Sequence, residues 1–240
     1  MPEKLKITIL IPSYNEIEGM KAIMPRIKKE WYDQLIIIDA GSTDGTQEYA
    51  KENGYFLKIQ TGRGVRPALD DAFPLVEGDI LITFTPDGNS IPEKIPALID
   101  KMKEGYDLVI VSRYLDGAKS YDDNFLSGKG NKFFTFLIRL FYKENYTDTL
   151  VGFRAFKREN IIKTGLGSGP KYWFEKIFYT YTSWDFLSSI RFAKRKLKVA
   201  EIPGDEPKRI GGKAMVPKFK VALVALTQLV IEKFILVGQK

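Results

Sequence analysis

Short, unbroken apolar runs alternate with amphipathic stretches along the first half of the chain, and polar residues gather directly after each run. Residues 6–11, 35–39, 55–59, 80–84 and 107–112 read as strands, because short apolar and β-branched runs bounded by turn signals suit strands covered on both faces. Helices fall between them. Ile17, Met20, Ile23, Met24 and Ile27 make one apolar stripe. A second helix is capped by Asp44 or Thr46 and stops at Asn53-Gly54. A third runs to about residue 76, and a fourth covers 92–103, opened by Pro92, since proline suits a first helical turn. Strand and helix thus alternate five times within 112 residues. That order predicts an α/β fold with a mainly parallel sheet and helices on both faces.

The second half changes character. Residues 113–126 are rich in Asp, Gly and Ser and read as a long loop, a type of segment that often carries function. Residues 131–142 read as a helix apolar nearly all round, 148–156 as turn then strand, 173–192 as one broken aromatic helix, and 197–202 as a strand. Residues 203–213 form a basic loop rich in Pro and Gly, and 216–237 a last helix with long apolar runs. No repeat, low-complexity tract or linker is visible. The expected organisation is one domain over residues 1–215 and an apolar C-terminal helix over 216–240, which packs on the domain or touches a membrane or partner subunit.

Composition narrows the chemistry. The 240 residues contain neither cysteine nor histidine. Disulfides, thiolate metal sites and imidazole acid–base catalysis are therefore excluded, and any metal must be held by oxygen. The net charge of +7, from 37 basic and 30 acidic residues, favours anionic partners. The arginines are scattered rather than gathered on one element, which speaks against nucleic acid. No signal peptide precedes the first strand, and no apolar stretch reaches the roughly 18–20 residues of a spanning helix.

The chemistry is expected after the fourth strand. There Thr85, Asp87 and Asn89 alternate, so that an extended segment would turn all three one way. Open α/β sheets bind ligands at the carboxyl ends of strands. Three hard oxygens at such a rim suit Mg²⁺ or Mn²⁺ carrying a phosphate. The same residues also suit a polar turn that caps a helix.

Four stretches together resemble the family-2 glycosyltransferases of GT-A fold, and within them most nearly the dolichol- or polyprenol-phosphate sugar synthases. They are Ile11-Pro12-Ser13-Tyr14-Asn15-Glu16; Ile38-Asp39-Ala40-Gly41-Ser42-Thr43-Asp44-Gly45-Thr46; Thr85-Pro86-Asp87-Gly88-Asn89; and Ser112-Arg113-Tyr114 with Asp148-Thr149-Leu150-Val151-Gly152-Phe153-Arg154. The departures are Ala40 and Thr85, each where the family carries an aspartate, Asn89 where it carries glutamine, and Met215 near a usual lysine, with Lys213 close by.

The resemblance implies an inverting transfer of a sugar from a nucleotide donor (GDP-, UDP- or dTDP-linked) to a polyprenyl phosphate, assisted by Mg²⁺ or Mn²⁺. A saccharide acceptor, or nucleotide-sugar binding without turnover, are the alternatives. Asp87, with Asn89 second, would hold the metal. Pro12, Tyr14, Glu16, Asp39, Arg66, Pro86, Arg209 and Lys213 would hold the donor, and Arg113 and Arg154 the acceptor phosphate. Arg209 lies in a loop that would order over the donor. A hydroxyl acceptor would need a carboxylate base, with Asp148 or Glu175 as candidates. The helices over 133–142 and 221–236 would meet a membrane, with Lys218, Lys220 and Lys233 at headgroups, or else pack on the domain or in a homo-oligomer. The expected place is the cytoplasm, peripheral on the cytoplasmic face of the membrane.

Overall fold

A computed structural model of the chain describes residues 5–62, 64–123, 125–167, 183–211 and 218–234. Its centre is a seven-stranded sheet of order β3-β2-β1-β4-β6-β5-β7. The strands are β1 (Ile7–Ser13), β2 (Gln34–Asp39), β3 (Phe56–Ile59), β4 (Ile80–Thr83), β5 (Leu108–Ser112), β6 (Arg154–Lys157) and β7 (Val199–Pro203). The pairs β1–β2, β1–β4, β2–β3 and β5–β7 are parallel, and β6 alone runs against its neighbours β4 and β5. The helices are α1 (Ile17–Ile23), α2 (Thr46–Glu52), α3 (Val65–Ala72), α4 (Ile95–Lys103), α5 (Phe125–Tyr142), α6 (Arg158–Thr164), α7 (Trp184–Lys194) and α8 (Lys218–Phe234).

Alternate residues of each central strand enter two different cores. Leu10, Ile36, Leu81, Leu108 and Ile110 pack with α3, α5, α7 and α8. Ile9, Ile11, Ile37, Ile82, Val109 and Val111 pack with α1 and α4. Both faces are covered, which is why these strands are apolar without interruption. Ala225 and Leu229 of α8 belong to the first core, so the C-terminal helix packs on the domain.

Boundaries differ from expectation in three places. Helix α5 begins at Phe125, six residues before Asn131, because packing overrides the helix-weakening Gly128 and Gly130. Helix α3 ends at Ala72 and passes into a 3₁₀ turn over Phe73–Leu75, since Pro74 removes a backbone donor. The aromatic stretch supplies α7 from Trp184; its earlier part lies outside the described residues.

The chain runs from β1 outward to β2 and β3, then returns to the other side of β1 for β4. That reversal opens a crevice between the carboxyl ends of β1 and β4, the place where such sheets take ligands.

Candidate active site

The loop after β1 is held by the loop after β2. Ser42 Oγ accepts from Asn15 N at 2.8 Å, Asn15 Oδ1 accepts from Thr43 N at 2.8 Å, and Thr46 Oγ1 accepts from Glu16 N at 3.0 Å. Asp44 Oδ2 accepts from Ile17 N at 3.0 Å, capping the start of α1 from a neighbouring unit. Burial would raise the Asp44 carboxyl, but its bonds from Thr46 and from backbone N–H groups outweigh that and hold it below the usual range. These contacts fix Glu16 over the crevice, with Pro12 half-buried behind it and Tyr14 exposed at the mouth.

On the β4 side, Asp87 Oδ1 accepts from Thr85 Oγ1 at 3.0 Å and from Asn89 N at 3.1 Å. Helix α1 rests directly on this turn. A Cβ at Gly19 would lie 2.3 Å from the Pro86 carbonyl oxygen, so only glycine permits the approach. Gly88, at φ +88°, is covered by Ile210, whose N–H donates to the Asp87 carbonyl at 2.7 Å.

The two sides meet through Arg209. Its Nη2 lies 2.7 Å from Asp87 Oδ2 and its Nη1 2.8 Å from Glu16 Oε1. Burial pushes the Glu16 carboxyl up to about 7, with Asp87 and Asp44 adding to the rise and Arg209 opposing it. One guanidinium thus balances two carboxylates that would otherwise repel. Asn89 donates from Nδ2 to Asp122 Oδ2 at 3.2 Å. Its Oδ1 is buried without a hydrogen-bond partner, as is Glu16 Oε2.

Beside this group lies a cavity of about 110 Å³ lined by Thr85, Asp87, Asn89, Arg113, Gly152 and Glu206, among others. A larger cavity of about 880 Å³, bordered by Ile7, Trp31, Tyr32 and Ile99, opens at the amino ends of β1 and β2, a strand's length from this chemistry.

The profile of the family described as Glycosyl transferase family 2 matches residues 8–165, more than half of the chain. The chain belongs to that family. It is 31% identical over 175 residues to the glycosyltransferase AglJ of Haloferax volcanii, an alignment covering 70% of this chain and 55% of that protein. It is 32% identical over 123 residues to the dolichol-phosphate mannosyltransferase of Pyrococcus furiosus, covering 48% of this chain and 35% of that one. The chain therefore spans about half the length, or less, of these two relatives. Glucosyl-3-phosphoglycerate synthase of Mycobacterium tuberculosis, solved with Mn²⁺, UDP and phosphoglyceric acid, superposes with a TM-score of 0.69 at 21% identity, covering 96% of this chain and 79% of that chain. The fold is GT-A, as the four motifs implied.

Within this family-2 site several residues stand apart from the roles expected of them. Asp39 is fully buried and spent on its own turn: Oδ1 accepts from Gly41 N, Ser42 N and Gln47 Nε2, and Oδ2 from Ser42 Oγ and Ser13 Oγ. It shapes the second loop rather than reaching a ribose. Arg66 is a buried residue of α3, its Nε 3.6 Å from Asp70 Oδ2. Asp148 is fully buried and held by Arg113 through Nε–Oδ2 at 2.6 Å and Nη2–Oδ1 at 3.0 Å. A carboxylate so paired is no general base. Arg154 is also fully buried. Burial lowers its pKa despite opposing carboxylates. Its guanidinium donates to the carbonyls of Val151, Thr149 and Asp185 and to the hydroxyls of Ser188 and Ser189. It fastens the loop before β6 to α7 and cannot also hold an acceptor phosphate. Lys213 and Glu175 lie outside the described residues.

Two acids escaped sequence reasoning. Glu206, in the loop read as basic, takes both 3.1 Å contacts of Arg113 Nη1. Asp185, in the first turn of α7, sits beyond Gly152, where an added Cβ would come within 3.8 Å of both its oxygens. Burial pushes its carboxyl up to about 6, against the pull of Arg154 and Arg113. An aromatic stretch gave no hint of it.

The donor set fits a hard divalent ion. Among the described residues no three of His, Cys, Asp and Glu gather as a metal site. Mg²⁺, however, is commonly bound by one or two carboxylates together with substrate phosphates. Asp87 and the unpartnered Asn89 Oδ1 are the oxygens that would supply the protein's share. An ion held there would compete with Arg209 for Asp87. Arg209→Ala is therefore expected to bind Mn²⁺ about tenfold more tightly in the absence of nucleotide, by calorimetric titration, a gain of about 1.4 kcal/mol. An unchanged affinity would show that the guanidinium does not compete.

Proposed function

We propose that the chain transfers a sugar from a nucleotide-sugar donor to a polyprenyl phosphate with inversion at the anomeric carbon. The observation that carries this reading is the state of Asp148. Its carboxylate is locked in a two-point pair with Arg113, so this acid is not available to take a proton from the acceptor, which favours an acceptor that arrives as its own nucleophile. A phosphate is anionic at neutral pH and needs no strong base, whereas a sugar hydroxyl does. Similarity to a dolichol-phosphate mannosyltransferase supports the same acceptor class.

Asp87 and Asn89 would hold Mg²⁺ or Mn²⁺, which would supply Lewis-acid stabilisation of the leaving diphosphate's charge. Arg209, once released from Asp87, is placed to meet diphosphate oxygens with its fork of donors. Glu16 and Tyr14 border the nucleoside end, Tyr14 offering an exposed ring to the base. Pro86, fixed against Gly19, holds the Asp87 turn in place. Arg113 faces the cavity, and guanidinium has five donors, so Nη2, with one N–H on Asp148 Oδ1, keeps the other for an acceptor oxyanion while Nη1 holds Glu206.

A panel of nucleotide sugars with Mn²⁺ and either polyprenyl phosphate or soluble saccharides tests the proposal. Transfer to the lipid phosphate is expected, and Asp185→Asn should leave its rate within about threefold, since phosphate attack asks for no base. Transfer to saccharides alone, abolished in Asp185→Asn, would replace the lipid acceptor by a hydroxyl one. Nucleotide-sugar binding with no product from any acceptor would point to a binding protein.

A further inference from the structure

We propose that the outward faces of α5 and α8 form a docking surface for an anionic lipid bilayer. On α5, Phe133, Phe136 and Leu140 are exposed together with Lys132 and Arg139, and Lys143 is exposed directly after the helix end. Steps of three and four residues put the five helical positions on one side of the helix. On α8, Leu226, Val230 and Phe234 are exposed with Lys233. The inward residues Phe134 and Ile138 of α5 and Ala225 and Leu229 of α8 belong to one core, so both stripes face away from the same side of the sheet. Lys233 joins the helices by donating to the Phe141 carbonyl at 3.2 Å. The exposed apolar side chains retain 41–78% of their accessible surface.

Charge selects the occupant. Helix α5 contains no acid, and the one acid of α8, Glu232, is fully buried against Arg191 at 2.8 Å. The described outward stripes of both helices are therefore apolar and basic only. A bilayer satisfies both characters, because Phe and Leu enter the boundary of the acyl region while Lys and Arg reach lipid phosphates. A two-fold contact with a second copy would set the same bases against one another with no acid between them. Among the described residues no helix is long and apolar enough to cross a membrane, so the contact lies along the surface. It holds whether or not the transfer reaction does.

The test is co-sedimentation of the full chain with phosphatidylcholine vesicles, with and without phosphatidylglycerol. Binding is expected with the anionic vesicles and should weaken at high salt. The double variants Phe136→Asp/Leu140→Asp and Lys132→Glu/Lys143→Glu should each weaken it about tenfold or more. These exposed positions should leave circular dichroism and the unfolding midpoint unchanged. Three outcomes would overturn the proposal: no sedimentation with anionic vesicles; sedimentation that neither double variant alters; or, in place of vesicle binding, self-association of the chain that Phe136→Asp/Leu140→Asp removes.

Discussion

Asp87→Ala is expected to lower sugar transfer by about 10²–10³-fold, the scale set by losing one centre of charge stabilisation in a transition state. The same change should abolish the Mn²⁺-dependent part of nucleotide binding. Asp87 has two separate duties. Oδ1 organises the turn through Thr85 and Asn89, and Oδ2 faces the counter-charge of Arg209. Asp87→Asn keeps an oxygen for the turn but removes the charge. If charge is what matters, both variants fail alike, and Asp87→Asn, which keeps the turn oxygen, retains the wild-type unfolding midpoint. If Asp87→Asn retains activity, the carboxylate is a turn residue and the metal reading falls. Arg209 sharpens the comparison, because in Asp87→Ala it keeps Glu16 as partner, so the site is not left with an unpaired cation.

Arg154→Met should destabilise the fold by roughly 3–5 kcal/mol, read by urea unfolding, because it removes several buried charge-assisted bonds at once and strands the Val151 carbonyl. The carbonyls of Thr149 and Asp185 lose the guanidinium and keep only serine hydroxyls as side-chain donors. Arg154→Lys should recover only part of the loss, since an ammonium on a flexible stem cannot reproduce the fork. The loop from Thr149 to Gly152 borders the cavity next to Arg113. Activity should therefore fall with stability in both variants. A variant with full stability but no turnover would return Arg154 to the acceptor site.

The two arginines of the acceptor-side motifs show where sequence reading stopped. Arg113 and Arg154 look alike in the chain, the first after the strand-like run ending at Ser112 and the second after Gly152-Phe153. One lines the cavity, and the other is enclosed by α7 and the loop before β6. Their burial depends on helix α7, which starts some thirty residues after Arg154, so no local pattern separates them. Asp39 and Asp87 pose the same problem. Asp39 ends an apolar strand and Asp87 follows one, yet the Ser42 and Gln47 donors consume the first, while the second is left facing an arginine from the far end of the chain.

Local periodicity was enough to determine the order of strands and helices, the position of polar loops at the strand ends, and the oxygen-only chemistry of a chain without histidine or cysteine. These follow from spacing and composition, which each segment carries within itself. Which carboxylates remain available was settled only when the sheet reversed its strand order and brought Glu16, Asp87 and Arg209 to one rim. The partners lie 193 residues apart between Glu16 and Arg209 and 93 between Arg113 and Glu206. A charge's role depends on its nearest counter-charge and on its distance from water, and both are properties of the packed molecule.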